Sequence, residues 1–343
     1  MALTLTLAVL PLGCAKPAAT PTTVTPARPT PKPTPTTADP LNGAIVPLAS
    51  VKHRVAAVMI DNYPIDARPQ SGLFDADVVY EVEAEGGITR YMALYLAGNP
   101  KKVGPVRSAR TYFVDLARPY DPFFAHGGQN NDTIDKLKNL RAGGFADMDE
   151  ILGTAQAFWR DDARDMPHNL YTSVERMRKT APTYGMKDQK YTQRQFDFEP
   201  PDPRPPDAAP LNIPPVVVSF WNDYNVLFVY DGTGYQRYID GNVQVDRDDA
   251  RPYSVADIVA VWMPAQVLDS LGDLAMNVYG TFPALLIRDG RAETGMWVAP
   301  GPTVVPSLLG DDEKPLYFKP GQIYIEVLPQ GSRVVSGKSV WSH

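Results

Sequence analysis

The chain has a single cysteine, Cys14, in 343 residues. That excludes an intrachain disulfide and a cysteine-built zinc site. No apolar run reaches the roughly 18–20 residues that a helix needs to cross a bilayer. Positive charge is scarce: 33 basic against 39 acidic side chains leave a formal net charge of −6. Lys16, Arg28 and Lys32 precede the first acid, Asp39, so the remainder carries 30 − 39 = −9. General nucleic-acid binding, which rests on a basic footprint, is excluded on that ground. The chain has no Walker A loop, no G-x-G-x-x-G after a strand and no H-E-x-x-H, and Ser71 and Ser108 lack a G-x-S-x-G setting. No cofactor and no metal are expected.

What the chain has in excess is proline, 35 residues, unevenly placed. Residues 11–47 hold ten and residues 200–215 hold eight. Met1 to Leu12 is short and apolar and ends at Gly13-Cys14, which reads as a secretion signal. Cys14 directly after Gly13 resembles a bacterial lipobox, which implies a diacylglycerol on that thiol. Lys16 to Asp39 is Pro/Thr-rich, has no aromatic residue and cannot bury enough surface to fold. At about 3 Å per residue, some 25 such residues would hold a domain roughly 70 Å from a membrane. The expected order is a signal peptide at 1–13, a lipidated cysteine and linker at 14–40, and a folded part held extracytoplasmically by its lipid alone.

The folded part is expected to begin near Leu41. Arg54–Ile60 is a buried-strand run, and Asp77–Val82 and Ile88–Leu96 form a hairpin around Glu85-Gly86-Gly87. Ser108 is placed to cap a helix over 109–118, with further helices over 132–140 and 173–180 and a strand over 122–126. Strands and helices mix without βαβ spacing, so residues 41–200 read as an α+β domain with a mixed sheet. A Pro-rich linker at 201–215 separates it from a β-rich domain at 216–343, with turn signals at Asp231-Gly232 and Asp289-Gly290.

Unusual side chains concentrate in residues 61–169, and four segments matter. They are Arg68-Pro69-Gln70-Ser71-Gly72-Leu73 with Ala76-Asp77, Glu85-Gly86-Gly87-Ile88-Thr89-Arg90, Gly104-Pro105-Val106-Arg107-Ser108-Ala109-Arg110, and Pro167-His168-Asn169-Leu170-Tyr171. In order and spacing they resemble the YerB-like lipoprotein family of bacteria, a family without an assigned biochemical role. The resemblance covers roughly residues 41–340. It implies a secreted lipoprotein with an α+β N-terminal and a β-rich C-terminal domain, and no particular reaction.

The residues themselves suggest anion chemistry. Arg107 and Arg110 lie three apart at an expected helix start, where side chains share a face and N–H groups favour an anion. Arg90 follows the Gly-Gly turn. Arg160, Arg164 and Asn169 flank His168, and His126 precedes Gly127-Gly128. Period two puts Glu81, Glu83 and Glu85 on one strand face. The bland reading is a solvated face with a cross-strand ion pair. The sharp one makes Glu81 or Glu85 an acid–base group, with His126 and His168 as further candidates. Asp147, Asp149 and Glu150 are expected to face solvent.

Three functions follow. The leading one is an envelope lipoprotein binding an anionic ligand (peptidoglycan, wall polymer or lipid phosphate) in a cleft where Arg90, Arg107, Arg110, His126, Arg160 and His168 converge. The alternative is an envelope enzyme on wall glycan or phosphoryl-linked polymer, the latter using Arg90, Arg107 and Arg110 on the phosphate with Asp61 or Asp77 holding a metal. In order alone, this arrangement is loosely similar to the LytR–CpsA–Psr wall-polymer transferases. The third is a structural lipoprotein that binds an envelope protein through exposed C-terminal aromatics such as Trp297 and Tyr324.

Overall fold

Ala56–Asp61 (β1), Val78–Glu83 (β2) and Thr89–Tyr95 (β3) are buried at every position. Strands of this kind need cover on both faces. In the computed structural model, which describes residues 34–199, 214–270 and 272–343, they get it. The expected signal peptide, Cys14, most of the 14–40 tract and most of the 201–215 segment lie outside the described residues. The ordered part reaches back past Leu41: Thr36–Ala38 pairs with Ile45–Pro47, and Asp39 is buried.

The N-terminal half adds strands Phe123–His126 (β4) and Asp147–Asp149 (β5), and helices Thr111–Ala117 (α1), Asn131–Ala142 (α2) and Val174–Thr180 (α3). Asn130 caps α2 by accepting from the Thr133 N–H, a contact worth about 1 kcal/mol. Ser173 caps α3 in the same way through Arg176. The first helix starts later than expected. Arg110 is its extended N-cap, so Arg107, Ser108 and Ala109 lie on extended chain and not on a helix face.

Beyond residue 214 come Val216–Ser219 (β6), Asn225–Tyr230 (β7), Tyr235–Ile239 (β8), Asp257–Met263 (β9), Gly280–Arg288 (β10), Arg291–Ala299 (β11), Ser307–Gly310 (β12), Ile323–Pro329 (β13), Arg333–Ser336 (β14) and Ser339–Ser342 (β15). One ten-stranded mixed sheet runs β12-β11-β10-β9-β13-β2-β3-β1-β4-β5. β13 lies parallel to both β9 and β2, so the two halves share a continuous ladder. A second, antiparallel sheet is built on β8-β7-β6-β14-β15. The fold is α+β, with the strands concentrated after residue 214.

Period-two alternation sorts the core. Ala57, Met59, Val78, Tyr80 and Val82 face one way with Val259 and Val261, under α1 and α2. Ala56, Val58, Ile60, Val79 and Tyr91 face the other way with Ile258 and Ala260, under α3 and the second sheet. Trp297 and Tyr324 are fully buried, which removes the exposed aromatic patch expected of them. Among the described residues no helix is long and apolar enough to cross a membrane.

The same alternation puts Glu81 beside Val79, on the face covered by the second sheet. The expectation of a solvated acidic face fails here. Glu81 is 0% exposed and pairs with Arg237 of β8. Its register neighbour Glu326 on β13 is equally buried. Burial, and then the charge of Glu81, push Glu326 well above the carboxylate range.

Candidate functional site

Asp61 ends β1, and Asn62 follows it. Both are buried, and the four segments singled out in the sequence meet around them. Gly104 to Arg107 continues the sheet: Asp61 donates its N–H to the Pro105 carbonyl (2.8 Å), and Arg107 donates to that of Met59 (2.9 Å). The same stretch bonds on its other side, where Val106 donates to Leu170 (2.6 Å) and Val103 to Thr172 (2.7 Å). That pairing carries His168 to Asp61. Gly104 is obligatory at the crossing. Its φ is +148°, and a Cβ there would meet the Leu170 carbonyl oxygen at 2.8 Å. Cis peptide bonds precede Pro69, Pro105 and Pro167.

The Asp61 carboxylate is 3% exposed. One oxygen accepts from the Tyr63 N–H (2.9 Å). The other lies 2.8 Å from His168 Nδ1 and 3.3 Å from Arg107 Nε. The His168 ring is tilted against Tyr63 at 5.1 Å between centroids. Arg107 is 26% exposed, and its two terminal nitrogens have no hydrogen-bond partner among the described residues. Nor has His168 Nε2. Both side chains are thus anchored on Asp61 through one nitrogen and keep unpartnered nitrogens while remaining partly exposed, 26% for Arg107 and 12% for His168.

The RPQSGL segment braces Asn62. Arg68 Nε donates to its side-chain oxygen (2.9 Å), and Gln70 donates to that oxygen (3.1 Å) and to the Asp61 carbonyl (3.0 Å). Asn62 in turn donates to Thr89 (2.7 Å), Glu81 (3.2 Å) and Tyr224 (3.0 Å). The EGGITR turn, with both glycines at positive φ, returns Arg90 beside Asp61 in the β1–β3 register. Arg90 donates to Glu85 (2.7 Å) and to the Ser108 carbonyl (3.0 Å). Arg110 pairs with the other oxygen of Glu85. Burial alone would raise Glu85, but Arg90 and Arg110 more than offset it and hold the carboxyl below its usual range. Burial first, and then the nearby charges of Arg110 and Arg107, lower Arg90. Arg90, Arg107 and Arg110 therefore form one cationic group balanced by Asp61 and Glu85.

Several expected site residues are occupied elsewhere. Glu81 is closed off in the Arg237 pair, and Glu85 is held ionised, so neither is suited to act as a general acid. His126 is fully buried. Its Nε2 meets Asp147 (2.8 Å) and its Nδ1 the Gly128 carbonyl (2.9 Å). Burial depresses its pKa, but Asp147, Asp149 and that carbonyl together raise it. His126 supports the glycine loop on which residues 107–109 rest, through Gly127 donating to Arg107 and Ala109 donating to Gly128. Asp147 and Asp149 are buried, not solvent-facing. Arg160 spans Asn169 (2.9 Å) and Glu150 (3.2 Å). Arg164 clips the carbonyls of Ala67 and Pro69. Of the six groups expected to converge, Arg90, Arg107, Arg110 and His168 gather near Asp61. His126 is sealed behind them, and Arg160 has its own partners.

The anchors Asp61 and Asn62 carry one sequence signal, two polar residues closing an apolar strand. Arg237 was missed. It occupies an inward position between Tyr235 and Ile239 in an alternating strand, and an arginine there needs a buried acid.

The family described as "Protein of unknown function (DUF3048) N-terminal domain" matches residues 41–187, and the corresponding C-terminal domain matches residues 216–325. A Bacillus subtilis (strain 168) protein named "Putative lipoprotein YerB" is 32% identical over 300 residues, 84% of this chain and 86% of its own length. The chain belongs to the YerB-like (DUF3048) family. The crystal structure of YerB protein from Bacillus subtilis is 30% identical and matches with a TM-score of 0.75, over 87% of this chain and 99% of that one. In this YerB-like chain, Asp61, Glu85, Arg90, Arg107, Arg110 and His168 all fall within the N-terminal match, and Arg237 and Glu326 fall outside it.

Proposed function

We propose that this protein is an envelope lipoprotein, held extracytoplasmically by a lipid on Cys14, that binds a phosphate- or carboxylate-bearing envelope ligand at the Arg107–His168 face. The name of the Bacillus subtilis relative and the Gly13-Cys14 junction support the anchor. The observation that carries the binding reading is the pair of open ends on Asp61. Arg107 offers two terminal nitrogens to an anion, and His168 Nε2 can accept from a ligand hydroxyl. Such charge-assisted bonds contribute about 1.5–3 kcal/mol. The net negative charge elsewhere repels the same ligand and sharpens the choice of site.

The test is retention of the Cys14→Ser protein on wall sacculi and on vesicles containing anionic lipid. Arg107→Ala should weaken retention about tenfold or more. Equal retention of the two proteins would sink the reading. Labelled fatty acid should enter the wild-type protein and not Cys14→Ser.

One observation favours a second reading. His168 Nδ1 lies 2.8 Å from the buried Asp61 carboxylate, and with Nδ1 donating there a neutral ring has Nε2 as its accepting nitrogen, the arrangement of a general base. The protein would then be an envelope enzyme on phosphoryl-linked polymer, with Arg107 stabilising the developing charge. Product release that disappears in His168→Gln while retention persists would select this reading over simple binding.

A further inference from the structure

A cavity of about 860 Å³ opens between the end of α2, the turn at Arg118–Asp121 and the segment around Lys187. None of its lining residues belongs to the Asp61 site. Arg54, Arg118, Arg141 and Lys187 line it against one acid, Asp121. Arg54 cancels that acid by pairing with it, and also donates to the Lys187 carbonyl (3.1 Å), so it holds the floor in place. The other three cations are less committed. Arg141 gives one nitrogen to Asp147 (2.6 Å). Arg118 lies 3.8 Å from Asp115. The Lys187 ammonium is exposed and has no partner among the described residues. A surplus of positive charge therefore faces the cavity of an acidic protein.

The rest of the wall narrows the chemistry. Phe145 and Tyr184 contribute aromatic rings to the lining, and Asn139 contributes an amide with no partner among the described residues. Aromatic faces beside planar amides suit sugar rings, whose two sides are C–H-rich and whose edges carry hydroxyls. The volume falls in the range of small-molecule sites, roughly 300–1,000 Å³. A wholly apolar ligand would strand the cations without partners.

We propose that this cleft binds a short acidic oligosaccharide, a few sugar units bearing carboxylate or phosphate. Arg118, Arg141 and Lys187 hold the charges, while Tyr184 and Phe145 carry the rings. The proposal does not depend on the Asp61 site. Either site can be real without the other.

Titration calorimetry on the Cys14→Ser protein tests it, with trigalacturonic acid, a phosphorylated maltotriose and plain maltotriose as probes. At least one acidic probe should bind about tenfold or more tighter than maltotriose, and the tighter of the two names the charge. Lys187→Ala and Arg118→Ala should each weaken that binding severalfold at an unchanged unfolding midpoint. Equal binding of acidic and neutral probes overturns the proposal, and so does indifference to Lys187→Ala. Loss in Arg107→Ala with retention in Lys187→Ala moves the ligand to the Asp61 site and also overturns it.

Discussion

Replacing Arg237 by methionine removes the positive half of a fully buried ion pair and keeps most of the side-chain bulk. Arg237, Glu81 and Glu326 are each 0% exposed. The guanidinium also donates to Tyr91 (3.0 Å) and Gln244. Glu326 is raised well above the carboxylate range by burial and by Glu81, and Arg237 is the cation that faces both carboxyl groups. Deleting one partner of such a pair costs about 3–5 kcal/mol. Thr89 (2.5 Å) and Tyr224 (2.9 Å) still donate to Glu81, which puts the expected loss near the lower bound, about 3 kcal/mol. With a urea slope of about 3 kcal/mol/M, the unfolding midpoint falls by about 1 M. The buried Trp262 and Trp297 report the transition by fluorescence. Glu81→Gln alone should cost less, about 1–2 kcal/mol, because Glu326, 3.9 Å from Arg237 Nε, can ionise in its place. Removing both charges with Glu81→Gln and Arg237→Met together should recover most of the loss. A single Arg237→Met cost under about 1 kcal/mol, or a double variant no better than that single one, refutes the reasoning.

Burial raises Glu83 to about 7, partly offset by the Trp221 N–H. The folded state therefore binds the extra proton, and stability falls as pH rises from about 4.5 toward 7. Glu83→Gln should flatten that slope and be more stable above pH 8 by about 2–3 kcal/mol, read from urea midpoints across pH. His126 has the opposite chemistry and the same sign. Its folded pKa is raised, so its contribution is complete below its unfolded value, about 6.5, and fades as pH rises. His126→Leu should therefore cost more at pH 6 than at pH 9, and a cost independent of pH would contradict the raised pKa. Glu85→Gln leaves Arg90 and Arg110 close together with a weaker acceptor. It should destabilise by about 1–3 kcal/mol, with partial recovery in high salt. Ile65 is β-branched, 87% exposed and held at φ +66°. Ile65→Gly should stabilise by about 1 kcal/mol, seen as a rise of about 2 °C in thermal midpoint.

Much of this architecture is legible in the sequence because its strands are apolar runs between strong breakers. Asn225–Tyr230 and Tyr235–Ile239 flank the turn expected at Asp231-Gly232. Helix starts were harder: Ser108 is the expected cap of the first helix, and Arg110 takes that position instead. Strand periodicity assigned Glu81 and Glu83 to one face but could not say what covers it. The cover comes from β8, more than 150 residues away in the chain. The unusual residues of the site were visible for the same reason that their pairings were not. Asp61 meets His168 across 107 positions, a separation that no local pattern encodes. His126 shows the converse: a histidine before two glycines looks like a site residue, and here its ring holds up the loop beneath one.

The placement of β13 has a consequence for how the molecule is made. The strand that completes the hydrogen-bonding of β2 comes some 240 residues later and reaches back to lie beside it. Everything synthesised before it must wait with one sheet edge unpaired and an ion-bearing core open to water. Long-range closure of that kind is slow and leaves sticky intermediates. Until that strand arrives the sheet stays open, and a truncation that removes β13 should behave as a failure of the whole molecule and not as the loss of one module.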